Sequence, residues 1–179
     1  MNDSFSLKKL NNLLFLIPFA LLSFVSSAFK TSGKNDNVRR RSLTEVMQVR
    51  QDVAGYAQNF VGIRYRHAGT SPRTGFDCSG FTSYILNEFD VKVSPSSANQ
   101  SSQGLKIPLE NVQPGDLIFF GHRGRVSHVA LVVECTADGI LCVHATNSRG
   151  IMVENVTISE YWQKKILFAR DVITPQMLN

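Results

Sequence analysis

Cys78 lies within Phe76-Asp77-Cys78-Ser79-Gly80-Phe81, where Asp77 is of a type that caps helices and an apolar helical pattern follows. A thiol at a helix start meets free backbone N–H groups and the positive end of the helix dipole, and both favour the thiolate. A thiolate nucleophile needs a base, and imidazole is the side chain suited to that task near neutral pH. Ser127-His128 opens a strongly apolar stretch, and His144 stands on the next one. A nucleophile, a base, and a second polar group that fixes the base's tautomer make up the set a thiol hydrolase requires. The candidate catalytic residues are therefore Cys78, His128 and His144.

The same three side chains could ligate zinc. No close ligand pair such as C-x-x-C or H-x-x-x-H accompanies them, and no carboxylate base stands in a motif. No metal and no cofactor is expected. His67 and His122 fall in loops, and Gly115-Asp116 reads as a turn ahead of a strand.

The elements that must position these residues follow from periodicity. Val46, Val49, Val53, Ala57 and Phe60 recur at helical spacing, with Gly62 as the stop. Residues 65–75 are rich in Gly, Ser, Thr and Pro and read as a loop. Residues 78–89 predict the central helix, with Phe81, Tyr84, Ile85 and Phe89 on its apolar side. A polar turn and a short helix over 98–104 come next. Strands are expected at 117–120, 128–135, 140–145, 150–156 and 166–172. A loop is expected over 121–126, and a helical turn at Tyr161-Trp162. Helices first and antiparallel strands second predict an α+β fold.

The hairpin between the histidines has two readings. A two-residue Asp138-Gly139 turn sets Cys135 and Cys142 directly opposite each other and sends His128 and His144 to opposite faces. A three-residue 137–139 loop restores both histidines to one face and separates the cysteines to opposite faces. The second register is favoured, because the catalytic set needs the histidines together. It predicts three free thiols.

Residues 1–28 carry Lys8 and Lys9 ahead of an apolar run, then Ser26-Ser27-Ala28, the pattern of a secretory signal peptide. The run is short for a membrane span. The formal net charge is +5; between residues 30 and 41 five cations stand against one acid, and residues 42–179 balance to zero. The basic stretch reads as a disordered linker over 29–43, and nucleic-acid binding is not expected of the domain. The domain itself is expected over 44–174, with a tail at 175–179.

From about Val53 to Val172 the chain resembles the NlpC/p60 family of bacterial cell-wall peptidases, most closely its small single-domain envelope endopeptidases. The matching pieces, in the family's order, are Tyr65 to Gly69, Gly75 to Phe81, Pro95 to Gln100, and Pro114 to Phe120. Ser127-His128-Val129-Ala130, His144-Ala145, Gly150-Ile151 and Tyr161-Trp162 complete the series. The resemblance implies a papain-like fold, with the cysteine helix packed on a small antiparallel sheet. It implies a monomeric periplasmic or secreted cysteine endopeptidase acting on peptidoglycan. The bond cut would join D-glutamate to the diamino acid of a stem peptide, or cross-link two stems. Cys78 would be nucleophile, His128 base and His144 the third residue. Tyr65 matches a residue linked with oxyanion stabilisation or substrate contact, and Asp77 and Ser79 match residues lining the substrate groove. His67 and Ala68 depart from the pattern, an aromatic residue and a glycine being usual there. A thiol-dependent amidase or acyltransferase on the same scaffold is the alternative.

Overall fold

The computed structural model describes residues 32–178, so the expected signal peptide lies outside the described residues. Residues Val38–Asn179 form one compact unit, which carries the elements that follow α1. Among the described residues no helix is long and apolar enough to cross a membrane.

Helix α1 runs Ser32–Gln58, so helix reaches back through most of the segment expected as linker. Its predicted apolar stripe is the buried one: Val46, Val53, Ala57 and Phe60 are in the core and Val49 packs against it. A loop and the two-residue strands β1 (Thr70–Ser71) and β2 (Gly75–Phe76) lead into α2 (Cys78–Asn87). Then come α3 (Ser97–Gln100) and β3 (Leu105–Ile107), a strand the periodicity does not reveal because it spans one pitch. Strands β4 (Leu117–His122), β5 (Arg125–Thr136), β6 (Gly139–Thr146) and β7 (Gly150–Asn155) follow. The chain closes with α4 (Glu160–Gln163), β8 (Ile166–Asp171) and α5 (Thr174–Met177). The six longer strands form one antiparallel sheet in the order β3-β8-β4-β5-β6-β7.

Both faces of this sheet are covered. Odd-numbered Val129, Leu131 and Val133 of β5 pack with the residues of α1 and α2. Even-numbered Ala130 and Val132 join a second cluster with Phe120, Cys142 and Trp162. Period-2 alternation thus assigns one strand to two cores.

The expected loop over 121–126 is a tight turn instead. Arg123 and Gly124 both take positive φ, 49° and 76°, and β4 and β5 run on to either side of them. That twist matches the strands it joins.

The β5–β6 register corrects the sequence reading. Thr136 pairs with Gly139 and Cys135 with Ile140, so the turn residues are Ala137 and Asp138. The register then shifts between Val132 and Glu134, and Val132 pairs with Cys142. A bulge inserts one residue and flips the alternation beyond it. It brings His128 and His144 to one face without the expected three-residue loop. It also leaves both hairpin cysteines on that face, not on opposite faces, but Cys135 and Cys142 are offset along the strands, not paired. All three cysteines are free, and Cys135 Sγ donates to the Val112 carbonyl at 3.3 Å.

Candidate active site

The site is built where the start of α2 meets β5. Asp77 has extended backbone and its Oδ1 accepts from the Gly80 N–H at 2.7 Å, the capping bond expected from the sequence. The same oxygen accepts from Ser79 Oγ at 3.2 Å. Ser79 is buried, and its carbonyl accepts from Gln100 Nε2 at 3.0 Å. Gln100 is itself fully buried and accepts from Thr82 Oγ1 at 3.0 Å. The first turn of α2 is therefore clamped from two sides. Gly80 is required by close packing: a methyl group there would overlap the Gly69 carbonyl oxygen. That oxygen also accepts the Asp77 N–H at 3.0 Å, which ties the 65–75 loop to the helix start.

The Cys78 thiol, at the first position of α2, is half-buried. Burial is the largest influence and pushes its pKa up. The backbone N–H groups of Val129, Ser79 and Cys78 itself favour the thiolate, and the Asp77 carboxylate opposes it. Val129 is the residue after His128, so the sulfur lies against β5 beside the candidate base. Tyr65 bridges to Phe76 and is half-buried. Its phenol pKa is raised by burial and then by Cys78 and Asp77, which places it in electrostatic reach of both.

His128 Nε2 lies 3.0 Å from His144 Nδ1. Nδ1 is then the ring nitrogen His128 keeps for a proton from the thiol. Its ring stacks on Trp162, centroids 4.6 Å apart at 24°, and Trp162 also touches His144 at 4.9 Å. Burial pushes His128 down to about 3, with the positive charges of His144 and Lys165 adding to the fall. Burial lowers His144 to about 4, against the upward pull of Glu154 and with help from Arg149. Burial thus favours the neutral forms of the thiol and of both imidazoles.

The structure brings Cys78, His128, His144, Tyr65, Asp77 and Ser79 into one region; His67 is exposed in a turn, and His122, expected in a loop, is exposed at the end of β4, where it pairs with Arg125. Among the described residues no three His, Cys, Asp or Glu side chains converge as a metal site. Sequence reasoning singled out the Tyr161-Trp162 turn but not its task, and it missed Glu154, Arg149 and Lys165. These join Phe120, His128 and Trp162 in lining a cavity of about 490 Å3 beside the base. Their only signal was register: Glu154 pairs with Cys142, two residues from His144 on the neighbouring strand.

The chain is an α+β protein that sets a thiol at a capped helix start near a pair of contacting histidines on adjoining antiparallel strands. Residues 62–171 match the NlpC/P60 family, and the chain belongs to it. It is 34% identical over 124 residues to a gamma-DL-glutamyl hydrolase of Bacillus subtilis, covering 67% of this chain and 29% of that protein. It is also 34% identical over 124 residues to murein DD-endopeptidase MepH of Escherichia coli, covering 66% of this chain and 44% of the other. An NlpC/P60 family protein of Bacillus cereus superposes with a TM-score of 0.63 at 33% identity, over 69% of this chain and 40% of that one. The chain thus spans less than half the length of these relatives.

Proposed function

We propose that the chain is a cysteine peptidase that hydrolyses peptide bonds in peptidoglycan stem peptides, at the D-glutamate–diamino acid bond or at the stem cross-link. The observation that carries this is the 3.0 Å contact between His128 Nε2 and His144 Nδ1, next to a backbone N–H acting on the Cys78 sulfur. The similarity to a γ-DL-glutamyl hydrolase and to a murein DD-endopeptidase supports the substrate class.

In this mechanism His128 Nδ1 takes the Cys78 proton as sulfur bonds to the scissile carbonyl carbon. The oxyanion is held by the Cys78 N–H and by Tyr65; one such donor is typically worth ~3 kcal/mol. The C–N bond then breaks, and His128 returns its proton to the leaving amine. Water, deprotonated by His128, attacks the thioester and releases the acid and the free thiol. Because His128 serves the amine, the leaving half of the substrate lies on its side of the thiol, toward the cavity bounded by Trp162, Arg149 and Lys165. Asp77 and Ser79 would line the acyl side of the substrate groove. With the expected signal at 1–28, the enzyme works in the periplasm or outside the cell. All the proposed catalytic groups come from one chain, so the site needs no second subunit to complete it.

The test is digestion of purified peptidoglycan by the full chain, with mass analysis of the fragments. Fragments ending at D-glutamate, or uncrosslinked stems, support the reading and choose between the two bonds. Release of stems from the glycan as an amidase would release them, or acyl transfer without hydrolysis, overturns it.

A further inference from the structure

We propose that Glu154 is a fourth, positioning member of the site: its carboxylate fixes the tautomer of His144, and through it makes His128 Nδ1 the basic nitrogen. This rests on the peptidase reading above.

The argument follows the protons. For His128 to accept a proton at Nδ1, neutral His128 must carry its own proton on Nε2. Nε2–H then donates to His144 Nδ1 across the 3.0 Å contact. His144 Nδ1 is thereby an acceptor, so neutral His144 carries its proton on Nε2. That nitrogen is fully buried and is the one buried side-chain nitrogen or oxygen among the described residues without a hydrogen-bond partner. A buried N–H without an acceptor is costly, so a tautomer with nothing to receive it is not populated.

The acceptor within reach is Glu154 Oε2, 3.6 Å away and just outside hydrogen-bond distance. Oε2 already accepts from Trp162 Nε1 at 3.1 Å and from Arg149 at 3.1 Å. Oε1 accepts from Ser159 Oγ at 3.0 Å. One carboxylate therefore holds the tryptophan that stacks on His128 and faces the orphan nitrogen of His144. Arg149 competes for the same oxygen, and its side chain is largely exposed on the cavity wall. A movement of a few tenths of an ångström completes the chain Cys78–His128–His144–Glu154. The opposite tautomers would give His144 Nδ1–H, donate to His128 Nε2, and leave the proton on His128 Nδ1, where it cannot accept from the thiol.

The tautomers can be read without substrate. Long-range 1H–15N correlation on the full chain at neutral pH should show His144 and His128 both protonated at Nε2. A wild-type His144 protonated at Nδ1 overturns the proposal. In Glu154→Ala the His128 signal should shift toward Nδ1–H, and kcat on a stem peptide should fall roughly 10- to 100-fold with KM unchanged. Glu154→Gln, which keeps an acceptor oxygen, should recover part of kcat and hold the wild-type tautomers. If Glu154→Ala instead raises KM alone with tautomers unchanged, Glu154 is a cavity residue and the proposal falls. If Glu154→Ala fails to fold, the wild-type and Glu154→Gln spectra still decide it. A wild type with the expected tautomers but no stem-peptide hydrolysis would keep the relay and remove the peptidase reading.

Discussion

Two buried polar clusters in this molecule are built to opposite specifications. The first joins α1 to the β4 and β8 ends of the sheet. Arg50 donates to Asp116 at 2.6 Å and to the Pro114 carbonyl at 3.0 Å, pairs with Asp171 at 2.7 Å, and donates to Thr174 Oγ1 at 3.0 Å. Asp116 Oδ2 accepts from the Gln113 N–H at 2.8 Å, and Asp171 Oδ1 accepts from the N–H groups of Ile173 and Thr174 at 3.0 Å. The second cluster, His128–His144–Glu154, leaves a buried nitrogen 3.6 Å from its carboxylate. A saturated cluster has one arrangement and locks the elements it joins. A cluster one bond short keeps an acceptor that a small movement can engage. The Arg50 cluster therefore fits a role in stability and the histidine cluster the proposed chemistry, although both are buried.

The largest expected effect tests the second half of that contrast. Cys78→Ala or His128→Gln should lower peptide hydrolysis by about 10^4-fold or more, because an amide cannot act as base and a methyl cannot attack. Denaturant midpoints should stay near wild type. Substantial activity in purified Cys78→Ala would sink the thiol mechanism.

Next comes the structural cluster. Arg50→Met strands two carboxylates beneath α1 and should cost about 3–5 kcal/mol in stability. Surviving folded protein should keep its kcat, and a kcat loss matching that of the histidine variants would break the comparison. Thermal unfolding and active-fraction kinetics read the two separately.

A smaller effect separates the clusters by pH. His144 is depressed in the fold to about 4, so its contribution to stability is complete above the unfolded value of about 6.5. It is lost as pH falls toward 4. Asp116, which burial holds up at about 6 despite Arg50, contributes with the opposite sign in that window. Comparison with His144→Gln isolates the histidine: between pH 7 and pH 4.5 wild type should lose about 2–3 kcal/mol more than the variant. Urea midpoints at the two pH values measure it, and equal losses would remove the burial argument for His144.

The smallest effect concerns the loop that flanks the thiol. Ala68 sits at φ 54°, a left-handed conformation that disfavours any Cβ, and it occupies a position where the family usually carries glycine. Ala68→Gly should leave the backbone in place and stabilise the protein by up to about 1 kcal/mol, since relieved strain outweighs the added freedom of the unfolded chain. A lower melting temperature would mean that loop is held by contacts of the Ala68 methyl group.

Local signals carried much of this reading. The capping aspartate, the apolar stripe of α2, the α+β order and the pairing of a thiol with two strand-borne histidines are short-range patterns. The cap and the stripe depend on residue type and spacing within one element, and the order and the choice of reactive groups on residue types along the chain, which is what a sequence displays. Register was harder. The turn residues of the β5–β6 hairpin suggested two pairings, and neither is the one adopted, because the turn falls at Ala137-Asp138 and a bulge between Val132 and Glu134 corrects the alternation.

What the sequence determined by itself is which residues carry reactive groups and on which elements they ride, since helix and strand periods are local properties of the chain. What only the tertiary structure decided is the environment of those groups. The stacking of Trp162 on His128, the orphan nitrogen of His144 and the approach of Glu154 depend on β5, β6, β7 and α4 meeting across the sheet. The depressed basicity of both imidazoles comes from water excluded by residues distant in the chain. Desolvation and hydrogen-bond geometry are set by three-dimensional neighbours, and no spacing along the sequence encodes them.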